Sequence, residues 1–225
     1  MNVTEIIGIL LTLPAVLISL SVHEYFHAYA AHKLGDPTQK FRGRLTLNPL
    51  KHIDPFGFIA LLLFRFGWAK PVQVDSRFFK NRKRDMALTA LAGPASNFVL
   101  AFICAFLYEI LERIGALNSL FSLKELTPFA VFTLIVYFMI PINLGLGIFN
   151  LIPIPPLDGS KILYSFLPNK TIYKILPYEK YVQLALILLL ALGFLSAPIS
   201  IVATGIENFY LNVARGVLDL CLPIN

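Results

Sequence analysis

The sequence predicts an all-α integral membrane protein of about five transmembrane helices, with a short membrane-associated β or re-entrant region after the first helix. Three observations carry this expectation. Hydrophobic residues fill 57% of the 225 positions and charged ones only 14%, with a mean hydropathy of +0.72, whereas a soluble domain carries about a quarter charged residues. Apolar runs approaching the roughly 20 residues that a helix needs to cross a bilayer core recur along the chain. Cationic residues gather between these runs rather than inside them.

The elements follow in order. Met1 to Glu5 offer no basic n-region, and the apolar stretch after them is too long for a signal-peptide core, so a retained helix is expected over about 6–32. Phe56 to Phe66 is apolar but only half a span, bounded by Asp54-Pro55 and Gly67-Trp68. It reads as a re-entrant or interfacial piece. Segments 40–47 and 70–75 alternate enough to form short strands. Further spans are expected over about 86–111, 128–150 and 180–196. The last segment, 198–220, is more amphipathic, with Glu207, Asn208, Asn212, Arg215 and Asp219, and either spans or lies at the interface. Residues 1–165 thus form a membrane core and 166–225 a pair of C-terminal membrane helices. Gly145 and Gly147 sit inside a span, where close helix packing is the expected use of glycine. Cys104 and Cys221 make no CxxC and no disulfide framework; Cys104 reads as a small packing residue.

Charge orients the chain, because short cytoplasmic loops are enriched in Lys and Arg. Twelve of the nineteen cationic residues lie between Lys33 and Arg84, and 161–180 adds Lys161, Lys170, Lys174 and Lys180, while 112–127 is balanced. The expectation is a multi-pass protein of the cell membrane with its N-terminus outside and segment 33–85 in the cytoplasm. The net charge of +6 then reflects topology and attraction to the anionic lipid bilayer, with no nucleic-acid partner.

Within the first span stands His23-Glu24-Tyr25-Phe26-His27, an HExxH pattern. Residues four apart share a helix face, so His23 and His27 can reach one metal ion while Glu24 stands beside it as a general base. Ionisable groups inside a membrane are costly and read as functional. A catalytic zinc takes three protein ligands. The extended HExxHxxGxxH type is excluded by Ala30 and Lys33, and the next Glu after Glu24 is Glu109, near the far end of the second span. His32 falls on the opposite side of the helix. His52, Asp54, Asp36, Asp75, Asp85 and Asp158 remain. Asp158 is the strongest of these: Pro153, Pro155 and Pro156 break the helix before it, and it sits at the same cytoplasmic depth as the histidines. Its plainer reading is the N-cap of a helix beginning near Ser160.

HEYFH in a first helix, GPASN (Gly93 to Asn97) in a middle one and NLIPIPPLDG (Asn150 to Gly159) after a third resemble the site-2 protease family of intramembrane zinc metalloproteases, in family order. The stretches Leu34 to Pro37, Leu45 to Gly57 and Gly67 to Val72 are similar to its compact prokaryotic members, without PDZ or CBS domains. The resemblance implies one zinc ion per chain held by His23, His27 and Asp158, with Glu24 catalytic. It implies hydrolysis of peptide bonds in or near transmembrane segments of membrane-protein substrates. Asn97, Asn150 and Pro153 are the expected substrate-binding residues, although Asn97 reads equally as an interhelical hydrogen-bonding group. The rival reading is a zinc-binding membrane protein without proteolysis, or a metal transporter.

Overall fold

The computed structural model describes residues 3–64, 67, 69–115 and 127–221. Its helices, in chain order, are α1 (Val3–Lys33), α2 (Thr38–Phe41), α3 (Pro55–Phe64), α4 (Arg82–Arg113), α5 (Pro128–Leu151), α6 (Asp158–Phe166), α7 (Asn169–Ile175), α8 (Glu179–Ala191) and α9 (Ser196–Cys221). α1, α4 and α5 pack against one another, α9 lies along α4 and α5, and α6 docks on α4. The core at their centre is built from Ala15, Ala101, Ala105, Val136, Met139, Ile140 and Leu144. Three alanines at the contact let backbones approach closely, which is how helices associate where lipid removes the hydrophobic incentive.

Helix ends follow local chemistry. Asn81 caps α4 by accepting from the backbone of Arg84, and Thr127 caps α5 by accepting from Ala130, with Pro128 in the first turn. Asp54 accepts from the backbone N–H of Gly57 at 2.9 Å and so opens α3.

Two expectations need correction. Among the described residues there is no strand. Segment 40–47 begins inside α2 and turns at Gly43, whose φ of +64° suits glycine. Segment 70–75 forms no strand, and the ladder contact beside it is the isolated bridge between Ile53 and Ala69. Pro71 has no N–H to give, and side chains take up the neighbouring backbone groups: Glu24 accepts from Val72, Gln39 donates to the Gln73 carbonyl, and Asp36 accepts from Asp75 at 2.8 Å. The half-span at 56–66 is helical as α3 to Phe64, and residues 65–66 lie outside the described residues.

The span count also falls short of five. Among the described residues, α4 and α5 are long and apolar enough to cross a membrane, and the segments Asn169–Ala191 and Ser196–Cys221 give a third if that pair, bent by 74°, counts as one. The expected span at 180–196 is cut short by the turn at Gly193, φ +74°, which leaves α8 with 13 residues. At about 1.5 Å per residue that is too short to cross alone.

Candidate metal centre

α1 carries His23 and His27 on the face turned toward α4, and α6 brings in Asp158. The Nε2 atoms of the two histidines are 2.9 Å apart, and Asp158 Oδ2 lies 3.2 Å from that of His23 and 2.9 Å from that of His27. All three side chains are buried. The tautomers decide what this means. His27 Nδ1 faces the Thr89 carbonyl at 2.7 Å, which can only accept, so Nδ1 carries the hydrogen. His23 Nδ1 faces Asn97 Oδ1 at 2.6 Å. The Asn97 amide nitrogen is spent on the Ser19 carbonyl and Asn143 Oδ1, so its oxygen is the atom that meets His23, and His23 Nδ1 is the donor. In the neutral rings, the form that binds a metal, both Nε2 atoms then present lone pairs to each other and to a carboxylate. In that form three acceptors converge with no hydrogen among them, and a bound metal cation resolves the conflict. The spacing is close to the edge of about 3.3 Å in a tetrahedron with zinc bonds of about 2.0 Å. The residues fit a zinc ion.

The surroundings hold the rings in place. Asn143 donates to Ser19 Oγ at 2.8 Å and to the Met139 carbonyl at 2.7 Å, so Ser19, Asn97 and Asn143 tie α1, α4 and α5 together behind His23. Such outer partners fix the orientation of metal-binding imidazoles. Gly93 lets α4 come this near: an added Cβ would sit 2.4 Å from His27 Nε2 and 2.8 Å from His23 Cε1.

Asp158 reaches the site because α5 ends at Leu151 and the proline run turns the chain. Gly159 permits the tight return, since a Cβ there would lie 2.3 Å from the Leu151 carbonyl oxygen. The helix cap is Leu157, without a side-chain bond. The Asp158 carboxylate is thus not a cap. Its Oδ2 faces the histidines while Oδ1 accepts from Lys161 Nζ at 3.0 Å.

Glu24 lines the same cavity, with Pro71, Val72, Val74, Asn150, Pro156 and Lys161 around it, and its Oε2 accepts from the Val72 backbone at 2.8 Å. The loop carrying Val72 is pinned at its far end by Asp75. There the Arg77 guanidinium bonds the carboxylate and holds the carboxyl down at about 2, so this end stays anionic.

The other sequence candidates are placed elsewhere. His32 is no part of the cluster. Asp36 bonds the backbone of Thr38 and Asp75, Asp85 bonds Asn81 and Arg84, and Asp54 caps α3. His52 is buried with Nε2 on the Thr46 carbonyl. Asn97 is fully buried, with its amide hydrogens spent on Ser19 and Asn143, so its contact is with a ligand ring. Asn150 lines the metal cavity, although its amide donates back to Leu146. Pro153 is exposed and is not among the lining residues, where Pro156 appears instead. Gly147 does meet the Phe98 ring, 2.9 Å from an added Cβ, whereas Gly145 has nothing within 4 Å and serves no close packing. Sequence reading did not assign Ser19, Asn143, Thr89 or Lys161. Ser19 stands one turn before His23 and Asn143 is a polar residue deep in an apolar helix, which were the available signals.

A model of peptidase family M50 matches residues 11–195. The Bacillus subtilis protein named "Putative zinc metalloprotease YwhC" is 43% identical over 166 residues, which cover 73% of this chain and 73% of that protein. "Putative zinc metalloprotease Rip2" of Mycobacterium tuberculosis is 31% identical over 210 residues, 91% of this chain and 71% of its own length. The Mycolicibacterium smegmatis protein of the same name is 31% identical over 180 residues, 77% of this chain and 64% of its own. No solved structure matches. The family match takes in His23, Glu24, His27, Asn97 and Asp158, the residues that the geometry brings together. The chain belongs to peptidase family M50, the site-2 protease family of zinc metalloproteases.

Proposed function

We propose that this chain is an intramembrane protease, cutting peptide bonds in or near transmembrane segments of membrane proteins, with Glu24 as general base. The observation that carries this reading is the convergence of three metal-binding lone pairs beside a carboxylate in one buried cavity. Only three protein ligands gather among the described residues, which leaves a coordination position for substrate or water, as catalytic zinc requires and structural zinc does not.

When bound, zinc supplies a Lewis acid that polarises the scissile carbonyl and acidifies a water. The chain's own residues do the rest. His23, His27 and Asp158 hold the ion. Glu24 takes the proton from the attacking water and delivers it to the leaving amine, and the Val72 N–H keeps its carboxylate aimed into the cavity. A helical substrate hides its peptide groups, so the segment to be cut must unwind. Val72 and Val74 line the cavity, and such a segment pairs by strand addition with the backbone groups there that Glu24, Gln39 and Asp36 leave open. Asn150 is placed to touch it; Pro153 would do so only at the cavity's margin. In this reading α1 crosses the bilayer alongside α4 and α5, the N-terminus is outside, and the centre lies toward the cytoplasmic face of the cell membrane.

The test is metal analysis of purified protein, followed by incubation of wild type and Glu24→Gln with a single-span substrate. Both should hold one zinc per chain, and only the wild type should cleave, with a loss of at least about a hundredfold in the variant. Equal behaviour of the two zinc-loaded proteins would sink the protease reading.

A further inference from the structure

A second cavity, about 370 Å³, lies beside the metal centre. α1 contributes Leu17 and Leu20 to its lining, α3 Phe58 and Leu61, and α5 Leu146 and Phe149. Leu20 lines this cavity and Glu24, one turn along the same helix face, lines the metal cavity; Leu146 and Asn150 repeat that relation on α5. Ala69 and Pro71 do so along the loop. The two spaces share three walls and adjoin. The volume is that of a small-ligand site, and nearly all of the lining is apolar.

Its polar groups are satisfied, with one exception. Ser21 donates to the Leu17 carbonyl at 2.6 Å, and Asp54 accepts from Gly57. His52 Nε2 faces the Thr46 carbonyl at 2.7 Å and so carries the ring hydrogen. Its Nδ1 is buried without a partner and has no surface open to the cavity, so it belongs to the wall rather than to the space. Gly145 completes the picture: it lines the cavity, and an added Cβ meets nothing within 4 Å. Glycine there leaves room rather than closing a contact.

We propose that this cavity is a substrate subsite, taking a large apolar side chain of the unwound segment next to the bond being cut. The inference rests on the protease reading for the identity of its occupant, and two measurements keep the two apart. First, Gly145→Cys is introduced into Glu24→Gln protein whose Cys104 and Cys221 are replaced by Ala. A single-span substrate with one Cys at successive positions is then joined to it with a short bismaleimide. Cross-linking should peak at one or two neighbouring substrate positions. Even cross-linking along the substrate, or none, overturns the subsite.

Second, that substrate position is varied between Phe and Ala. Wild type should prefer Phe by at least about tenfold in kcat/KM, the usual discrimination of a hydrophobic pocket, and Gly145→Phe should bring the ratio near one. Gly205→Phe is the control, on an exposed face of α9 where an added Cβ also meets nothing, and should keep the wild-type ratio. A ratio unchanged by Gly145→Phe overturns the proposal. Focused cross-linking of the Gly145→Cys protein together with a wild type that cleaves nothing would keep the subsite and remove the protease reading instead.

Discussion

Removing the Asn97 side chain would leave the His23 Nδ1–H buried with no acceptor and the Asn143 oxygen without its donor. The ring would be free to rotate or change tautomer, and its Nε2 lone pair would no longer be guaranteed to the metal. Outer partners of this kind are worth about ten- to a hundredfold in metal affinity. Asn97→Ala should therefore lose zinc to a competing chelator at concentrations about ten- to a hundredfold lower than wild type, measured on folded, monodisperse protein. Retention equal to wild type would show that Ser19, Thr89 and the packing of α4 hold the rings without it. The three groups that come together were suggested by the sequence, because His23 and His27 are tied by a fixed helical spacing and Asp158 follows the proline break that turns the chain back. The relay behind them was not. Ser19 and Asn143 are 124 residues apart, and no local period announces a contact that exists only once α1, α4 and α5 have packed.

At the scale of elements, α6 matters because its first residue, Asp158, is one of the three groups that could hold the metal. Its position depends on Gly159, where a Cβ would run into the Leu151 and Ile152 carbonyl oxygens, at 2.3 and 2.5 Å. Backbone cannot yield as a side-chain tip can, so Gly159→Ala must push α6 away from the end of α5 and carry Asp158 off the histidines. The expected outcome is loss of zinc with α4 and α5 still helical: metal analysis near zero and a far-UV circular dichroism spectrum close to wild type. Full zinc occupancy in Gly159→Ala would show that the α5–α6 junction does not set the third ligand. The same scale holds the clearest failure of sequence reading. Alternation at 70–75 suggested a strand, and the segment forms none. What makes a strand is a paired edge, and here Glu24, Gln39 and Asp36 occupy backbone groups that a neighbour would need. Alternation reports which faces are wet, not what meets the backbone.

For the whole molecule, the two ends of α4 differ in charge. Its N-terminal end carries Arg82, Lys83 and Arg84, of which Arg84 pairs with Asp85, and segment 33–54 adds Lys33, Lys40, Arg42, Arg44 and Lys51. At its C-terminal end Glu109 meets Arg215 at 2.8 Å and Arg113 meets Asp219, which joins the ends of α4 and α9 by neutral pairs. Uncompensated cations stay on the cytoplasmic side, so the metal centre, which shares the N-terminal end of α4 through Thr89 and Gly93, should lie toward the cytoplasm. Single cysteines test this in a protein whose Cys104 and Cys221 are replaced by Ala. Ile114→Cys, at a position 64% exposed just past the end of α4, should react with a membrane-impermeant maleimide added to intact cells. Lys40→Cys, on exposed α2, should react only after the membrane is opened. The reverse pattern would invert the topology, and with it the side from which water and the loop at 71–75 approach Glu24. Labelling of both from outside would mean that segment 33–54 does not face the cytoplasm, and charge would have been a poor guide to its side.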